Sequence, residues 1–155
     1  MSRRTEVETW RRLALLLLLF EMTGGLVELY FLEHYEDALQ WTPLLSLGAG
    51  LMLAGLVALR PTGLAVRLLQ VLMSWYLVAA VLGVYLHLES NLEFELELRP
   101  SMAGTELVME TLRGAMPAFA PGAMAQLGLL GLLVCHRHPS LAPGDRREAN
   151  PPEDT

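Results

Sequence analysis

Two carboxylic acids interrupt an apolar run. Glu21 stands near the middle of residues 13–32, and Glu28 follows two helical turns later on the same stripe, with Gly25 between them. An ionised side chain at membrane depth costs on the order of several kcal/mol, so it faces a bundle interior, a partner or a water-filled path. Two chemistries fit. Desolvation favours the neutral acid, so Glu21 can take up and release a proton, or bind a cation, in a coupled transporter. Alternatively, the protonated acid hydrogen-bonds across the bundle and holds helices together. Its expected partners are then Gln70, Ser74 and Tyr76 of the third apolar segment, and Gly24-Gly25 permits close helix approach.

A second cluster lies further along. Antiparallel threading brings Glu28, Glu33, His34, Glu36 and Asp37 to the level of Tyr85, His87 and Glu89. His34, His87, Glu28 and Glu89 form a mixed nitrogen and oxygen donor set of the kind zinc, manganese or non-haem iron accepts. The spacing includes no H-x-x-x-H pair, and an ordinary interfacial hydrogen-bond network is the competing reading. His136, Arg137 and His138 read as a basic anchor near lipid headgroups. Nucleophilic catalysis finds no support: Ser46, Ser74 and Ser101 lack a G-x-S-x-G setting, and Cys135 has no C-x-x-C partner. No cofactor is firmly implied, and the chain does not read as an enzyme.

The elements that must position these residues are apolar blocks. Of 155 residues, 53% are hydrophobic and 18% charged, and the apolar ones gather at about 13–32, 43–59, 64–88 and 118–135. Hydrocarbon about 30 Å thick takes roughly 20 helical residues to cross. The expectation is an all-α integral membrane protein, a bundle of four transmembrane helices spanning 13–135, with no room for a soluble catalytic domain. The first block is too long for a signal-peptide core and lacks an A-x-A site, so it reads as a retained helix behind a polar lead, 1–12. On helix 2, Ser46, Gly50, Ala54 and Ala58 recur at four-residue steps and mark a close-packing face. Helix 4 does the same with Gly122, Ala125, Gly128 and Gly131.

Charge sets the orientation. All eleven basic residues are Arg, and alternate threading puts nine on one side, leaving only Arg99 and Arg113 opposite. The positive-inside bias then makes both termini cytoplasmic in a multi-pass protein of the inner (plasma) membrane. The net charge of −6 argues against a nucleic-acid partner. Residues 136–155, polar and proline-rich, read as a disordered cytoplasmic tail.

Between helices 3 and 4 lies an acidic outer segment, 89–117. In 91–99, Leu92, Phe94, Leu96 and Leu98 alternate with Glu93, Glu95, Glu97 and Arg99. A period of two favours a half-buried strand, which needs a partner strand from the same loop or another chain. The rival is an interfacial helix pairing Glu95 with Arg99. A short helix is expected over 105–113.

In its four helices and the acidic position in the first, the chain resembles the small multidrug-resistance transporters. That resemblance implies proton-coupled export of cationic compounds through Glu21. The 29-residue outer segment is foreign to that compact family. Three functions follow from the residues. The leading one is a non-enzymatic membrane subunit or binding protein, assembled as a homo-oligomer or larger complex through Leu92, Phe94, Leu96 and Leu98. The others are a proton- or cation-coupled transporter using Glu21, and a metal-binding redox or sensor protein at the outer face.

Overall fold

A computed structural model describes residues 3–142. Its long elements are all helical: α1 (Arg3–Phe31), α2 (Trp41–Leu59), α3 (Gly63–Leu98), α4 (Gly104–Arg113) and α5 (Gly122–Cys135), followed by a 3₁₀ turn at Pro139–Leu141. Three of them, α1 to α3, are long and apolar enough to cross a membrane, and α5 is a shorter apolar helix. The expected polar lead is the first part of α1 itself, from Arg3 onward.

Each helix ends for a local reason. At the end of α1, Glu33 adopts a left-handed φ of 52°. The His34 N–H donates to the Leu29 carbonyl at 3.0 Å and the Glu33 N–H to the Tyr30 carbonyl at 3.1 Å. This is the paired hydrogen bonding of a Schellman cap. The chain then turns, and the Asp37 carboxylate accepts from the Leu39 and Gln40 N–H groups at 2.8 and 3.0 Å. The helical spacing of Leu32, Tyr35 and Leu39 therefore does not extend α1. Arg60-Pro61 breaks the chain between α2 and α3, and Thr62 caps α3 by accepting from the Ala65 N–H at 3.2 Å. Pro121 precedes α5, which begins four residues later than its apolar block suggests.

The strand expected at 91–99 is not formed. α3 runs unbroken for 36 residues, about 54 Å at 1.5 Å per residue, so its last turns carry this segment as helix. The helix was the rival reading, and its Glu95–Arg99 pair is present at 2.9 Å. A lone strand would leave its backbone groups unpaired, whereas extending an existing helix needs no new nucleus. The helix also separates the four apolar residues of 91–99. Leu92 and Leu96 share one line, Phe94 and Leu98 another.

Packing follows the small residues. α1 lies against α2 and α5, while α3 lies against α2, α4 and α5. Leu18, Met22, Val66, Leu69, Met73, Tyr76 and Val134 are fully buried between them. Gly50 faces both Met22 of α1 and Tyr76 of α3, so the α2 stripe seats two neighbours at once. A Cβ on Gly128 would lie 2.8 Å from the Met73 carbonyl oxygen, and one on Gly131 would meet the Met73 side chain. Ala58, the last member of the α2 stripe, is exposed, and Gly122 of α5 packs on nothing nearby.

The outer surface is the reverse of a water-soluble domain's. Phe20, Met52, Val71, Val81 and Leu129 all point outward. Only 17–28% of the most apolar window of each long helix is buried. Contiguous apolar surface on that scale suits hydrocarbon and is unfavourable in water.

Candidate functional site

Glu21 points out of the protein. Its neighbour Met22, rotated about 100° around α1, is fully buried against Gly50 and near Tyr76. Glu21 itself is exposed between Phe20 and Gly24, which are also exposed. It makes no hydrogen bond or ion pair to the described residues. The expected partners on α3 are engaged elsewhere. The Tyr76 hydroxyl donates to the Ser46 carbonyl at 2.7 Å, and the Ser74 hydroxyl donates to the Gln70 carbonyl of its own helix at 3.0 Å. Gln70 is half-buried. At the level of Glu21, the interior holds Met22, Met73 and Tyr76, not the carboxylate.

Glu21 also lies well inside the apolar length of α1. Near the start of that length, the Arg11 guanidinium reaches the last turn of α5, donating to the Val134, His136 and Arg137 carbonyls at 3.1, 3.2 and 3.4 Å. Glu21 is ten residues further along α1, about 15 Å, which is half of a bilayer's hydrocarbon. Other polar side chains on the outer faces satisfy themselves. The Thr23 hydroxyl donates to the Leu19 carbonyl at 2.8 Å, just as Ser74 bonds to Gln70. A carboxyl group has no such recourse when ionised, because the helix offers it no free N–H. Glu28 is exposed as well, about 10 Å nearer the C-terminal end of α1.

Trp75 completes a polar contact within the apolar region. Its indole N–H donates to the Ser46 hydroxyl at 3.1 Å, so Ser46 receives both aromatic neighbours. A buried Trp or Tyr carries one N–H or O–H that needs a partner, and here one serine on α2 serves both.

Beyond the end of α1, His34 comes near enough to His87 of α3 for the two to influence each other. Burial, the facing His87 and, in opposition, Asp37 together hold the His34 imidazole below its ordinary 6.5. His87 Nδ1 lies 3.0 Å from the Pro117 carbonyl, while Glu89 accepts from the Tyr85 hydroxyl at 3.1 Å. Among the described residues, no three His, Cys, Asp or Glu side chains gather as a metal site would require. The set His34, His87, Glu28 and Glu89 is therefore not assembled as four ligands.

Beyond His87 the outer segment is a helical hairpin. Asn91 is fully buried and clasps the α4–α5 connection: its Nδ2 donates to the Thr111 and Met116 carbonyls, and its Oδ1 accepts from the Met116 N–H. At the tip, Arg99 joins Glu95 to α4 through Glu106 at 3.4 Å and Glu110 at 3.9 Å. Leu92, Phe94 and Leu98 are exposed and Leu96 half-buried, so the hairpin presents apolar side chains among acids. Sequence reasoning passed over Asn91, because the period-two pattern drew attention to the residues that follow it.

The segment after α5 is partly held. The His138 ring accepts from the Ser140 N–H at 3.2 Å, and the Ser140 hydroxyl donates to the Pro61 carbonyl in the α2–α3 turn. The disorder expected for 143–155 lies outside the described residues. Compared with known protein families, curated protein sequences and solved structures, the chain matches none.

Proposed function

We propose that this chain is a non-enzymatic, multi-pass subunit of an inner-membrane assembly, a four-helix bundle with both termini in the cytoplasm. One observation carries the reading: a carboxylate at mid-depth faces outward, where lipid alone would leave it unsatisfied. A residue so costly in hydrocarbon is tolerated where a partner covers it. In an interior ion path it would instead face Met22's side of the helix.

The bundle and its orientation have their own support. α5 spans about 21 Å, and its preceding Pro121 packs on Gly83, twenty residues and about 30 Å along α3 from Gly63. That contact supports reading α5, with the turn before it, as the fourth membrane-crossing element. Arg11, Arg60, Arg67 and Arg137 lie toward one end and Arg99 and Arg113 toward the other, as the positive-inside bias requires. The exposed apolar residues of the acidic hairpin, Leu92, Phe94 and Leu98, supply a second contact surface outside the membrane.

The test is native mass spectrometry of the chain extracted from its own membrane in lipid nanodiscs. A stoichiometric complex, lost or weakened in Glu21→Leu, is the expected result. A monomer in native lipid overturns the reading.

A further inference from the structure

Resting on the assembly reading, we propose that the α1 face around Glu21 docks a transmembrane helix of another protein, one that carries an Arg or Lys side chain at mid-depth. The charge of the surface selects this occupant. Glu21 offers an acceptor with no hydrogen bond or ion pair to the described residues, and a basic side chain is its complement where water is absent.

Among the described residues, a second copy offers no basic side chain at that depth. The described Arg residues occupy the two ends: Arg3, Arg4, Arg11 and Arg12 before and at the start of the apolar run, Arg60 and Arg67 around the α2–α3 turn, Arg137 after α5, and Arg99 and Arg113 in the outer hairpin. The Arg residues at the α1 start lie about 13 Å or more from Glu21's depth in a copy of the same orientation. A symmetric pair would set Glu21 against Glu21, which is repulsive unless one carboxyl is protonated.

The surroundings of Glu21 suit a bulky incoming side chain. A Cβ added to Gly24 would meet nothing within 4 Å, so the backbone beside the acid is bare. On the adjoining α5, Gln126 is exposed at nearly the same depth, because Gly131 packs against Leu18 and the two helices run antiparallel.

The experiment reconstitutes the full chain in phosphatidylcholine vesicles with designed single-span helices of Leu and Ala. One helix carries Arg at its midpoint, and the other carries Leu there. Energy transfer between C-terminal fluorescent tags reads association, and thermal unfolding checks that each variant is folded. The Arg helix is expected to associate at least tenfold more tightly than the Leu helix. Glu21→Gln removes that preference, whereas Glu28→Gln, nearer water, keeps it. Equal binding of the two helices, or a preference that survives Glu21→Gln, overturns the proposal. Self-association abolished by Glu21→Leu, without a preference for the Arg helix, assigns the face to a second copy. That outcome overturns this inference and leaves the assembly reading standing. Monomers in native nanodiscs overturn the assembly reading itself.

Discussion

Asn91 and Met116 hydrogen-bond to each other in both directions. The Asn91 amide donates to the Met116 carbonyl at 2.8 Å, and the Met116 N–H donates to the Asn91 carboxamide oxygen at 2.9 Å. The side chain thereby serves as a short piece of backbone, closing the connection from α4 to α5 onto α3. A Cβ on Gly114 would lie 2.5 Å from Asn91 Cγ, so that connection approaches as closely as glycine allows.

Replacing Asn91 by Ala leaves a partly buried N–H and two partly buried carbonyls without this partner. Each such group costs about 1–3 kcal/mol when it cannot reach water. The α4–α5 connection is expected to open, seen as at least tenfold faster cleavage at residues 113–118 by a protease added outside oriented vesicles. Unchanged protection would show that α4 is held by other contacts.

Gly50 and Tyr76 form a second dependent pair. A methyl at position 50 would collide with the Tyr76 hydroxyl and lie 2.9 Å from Met22 Cε. Gly50→Ala is expected to destabilise the fold by about 2 kcal/mol, and Tyr76→Phe by about 1 kcal/mol. Removing the hydroxyl makes room for the methyl, so the double variant is expected to lose less than the sum. A thermal or denaturant cycle in micelles measures the coupling, and strict additivity would contradict the contact.

Glu33 holds a left-handed backbone conformation that L side chains adopt at a cost of roughly 1–2 kcal/mol. Glu33→Gly is expected to raise stability by about 0.5–1 kcal/mol without changing the Schellman hydrogen bonds. The measurement is the shift in Tm in micelles, and a fall in Tm would mean that the Glu33 side chain contributes something the cap geometry does not.

Acidification is expected to loosen both ends of the protein. His34 titrates below 6.5 because burial and His87 disfavour its charge, with Asp37 opposing. His138 does so because of burial and then Arg11. The unfolded chain therefore binds protons at these sites first, and stability falls as pH drops through 6.5 toward the lower folded-state values. Tm followed from about pH 7 to about pH 5 is expected to decline, with a shallower decline in a His34→Gln/His138→Gln variant. An equal slope in the two proteins would assign the effect to the carboxylates.

Apolar blocks, turns and the small-residue face of α2 were legible because each depends on local chemistry. Pro61, Thr62 and Pro121 mark helix boundaries by what their backbones and side chains can bond. The direction of Glu21 was not legible. α1 is apolar around its whole circumference over residues 13–20, so no periodic signal sets which face turns inward. Its phase comes from contacts made elsewhere, such as Met22 on Gly50 and Gly25 near Leu47. The segment 91–99 misled for a related reason. Alternation has a physical meaning only where a strand has a neighbour, and here α3 arrives already helical and Asn91 and Glu95, one turn apart, are buried.

The unbroken length of α3 has a mechanical consequence. Seated in a bilayer about 30 Å thick, a rod of about 54 Å leaves about 24 Å of rigid lever outside. Its N-terminal end sits in the α2–α3 turn to which Ser140 is fastened. A sideways push on the acidic hairpin therefore rocks the rod about a fulcrum along its apolar length, and the opposite displacement arrives at the α2–α3 turn without any helix having to bend.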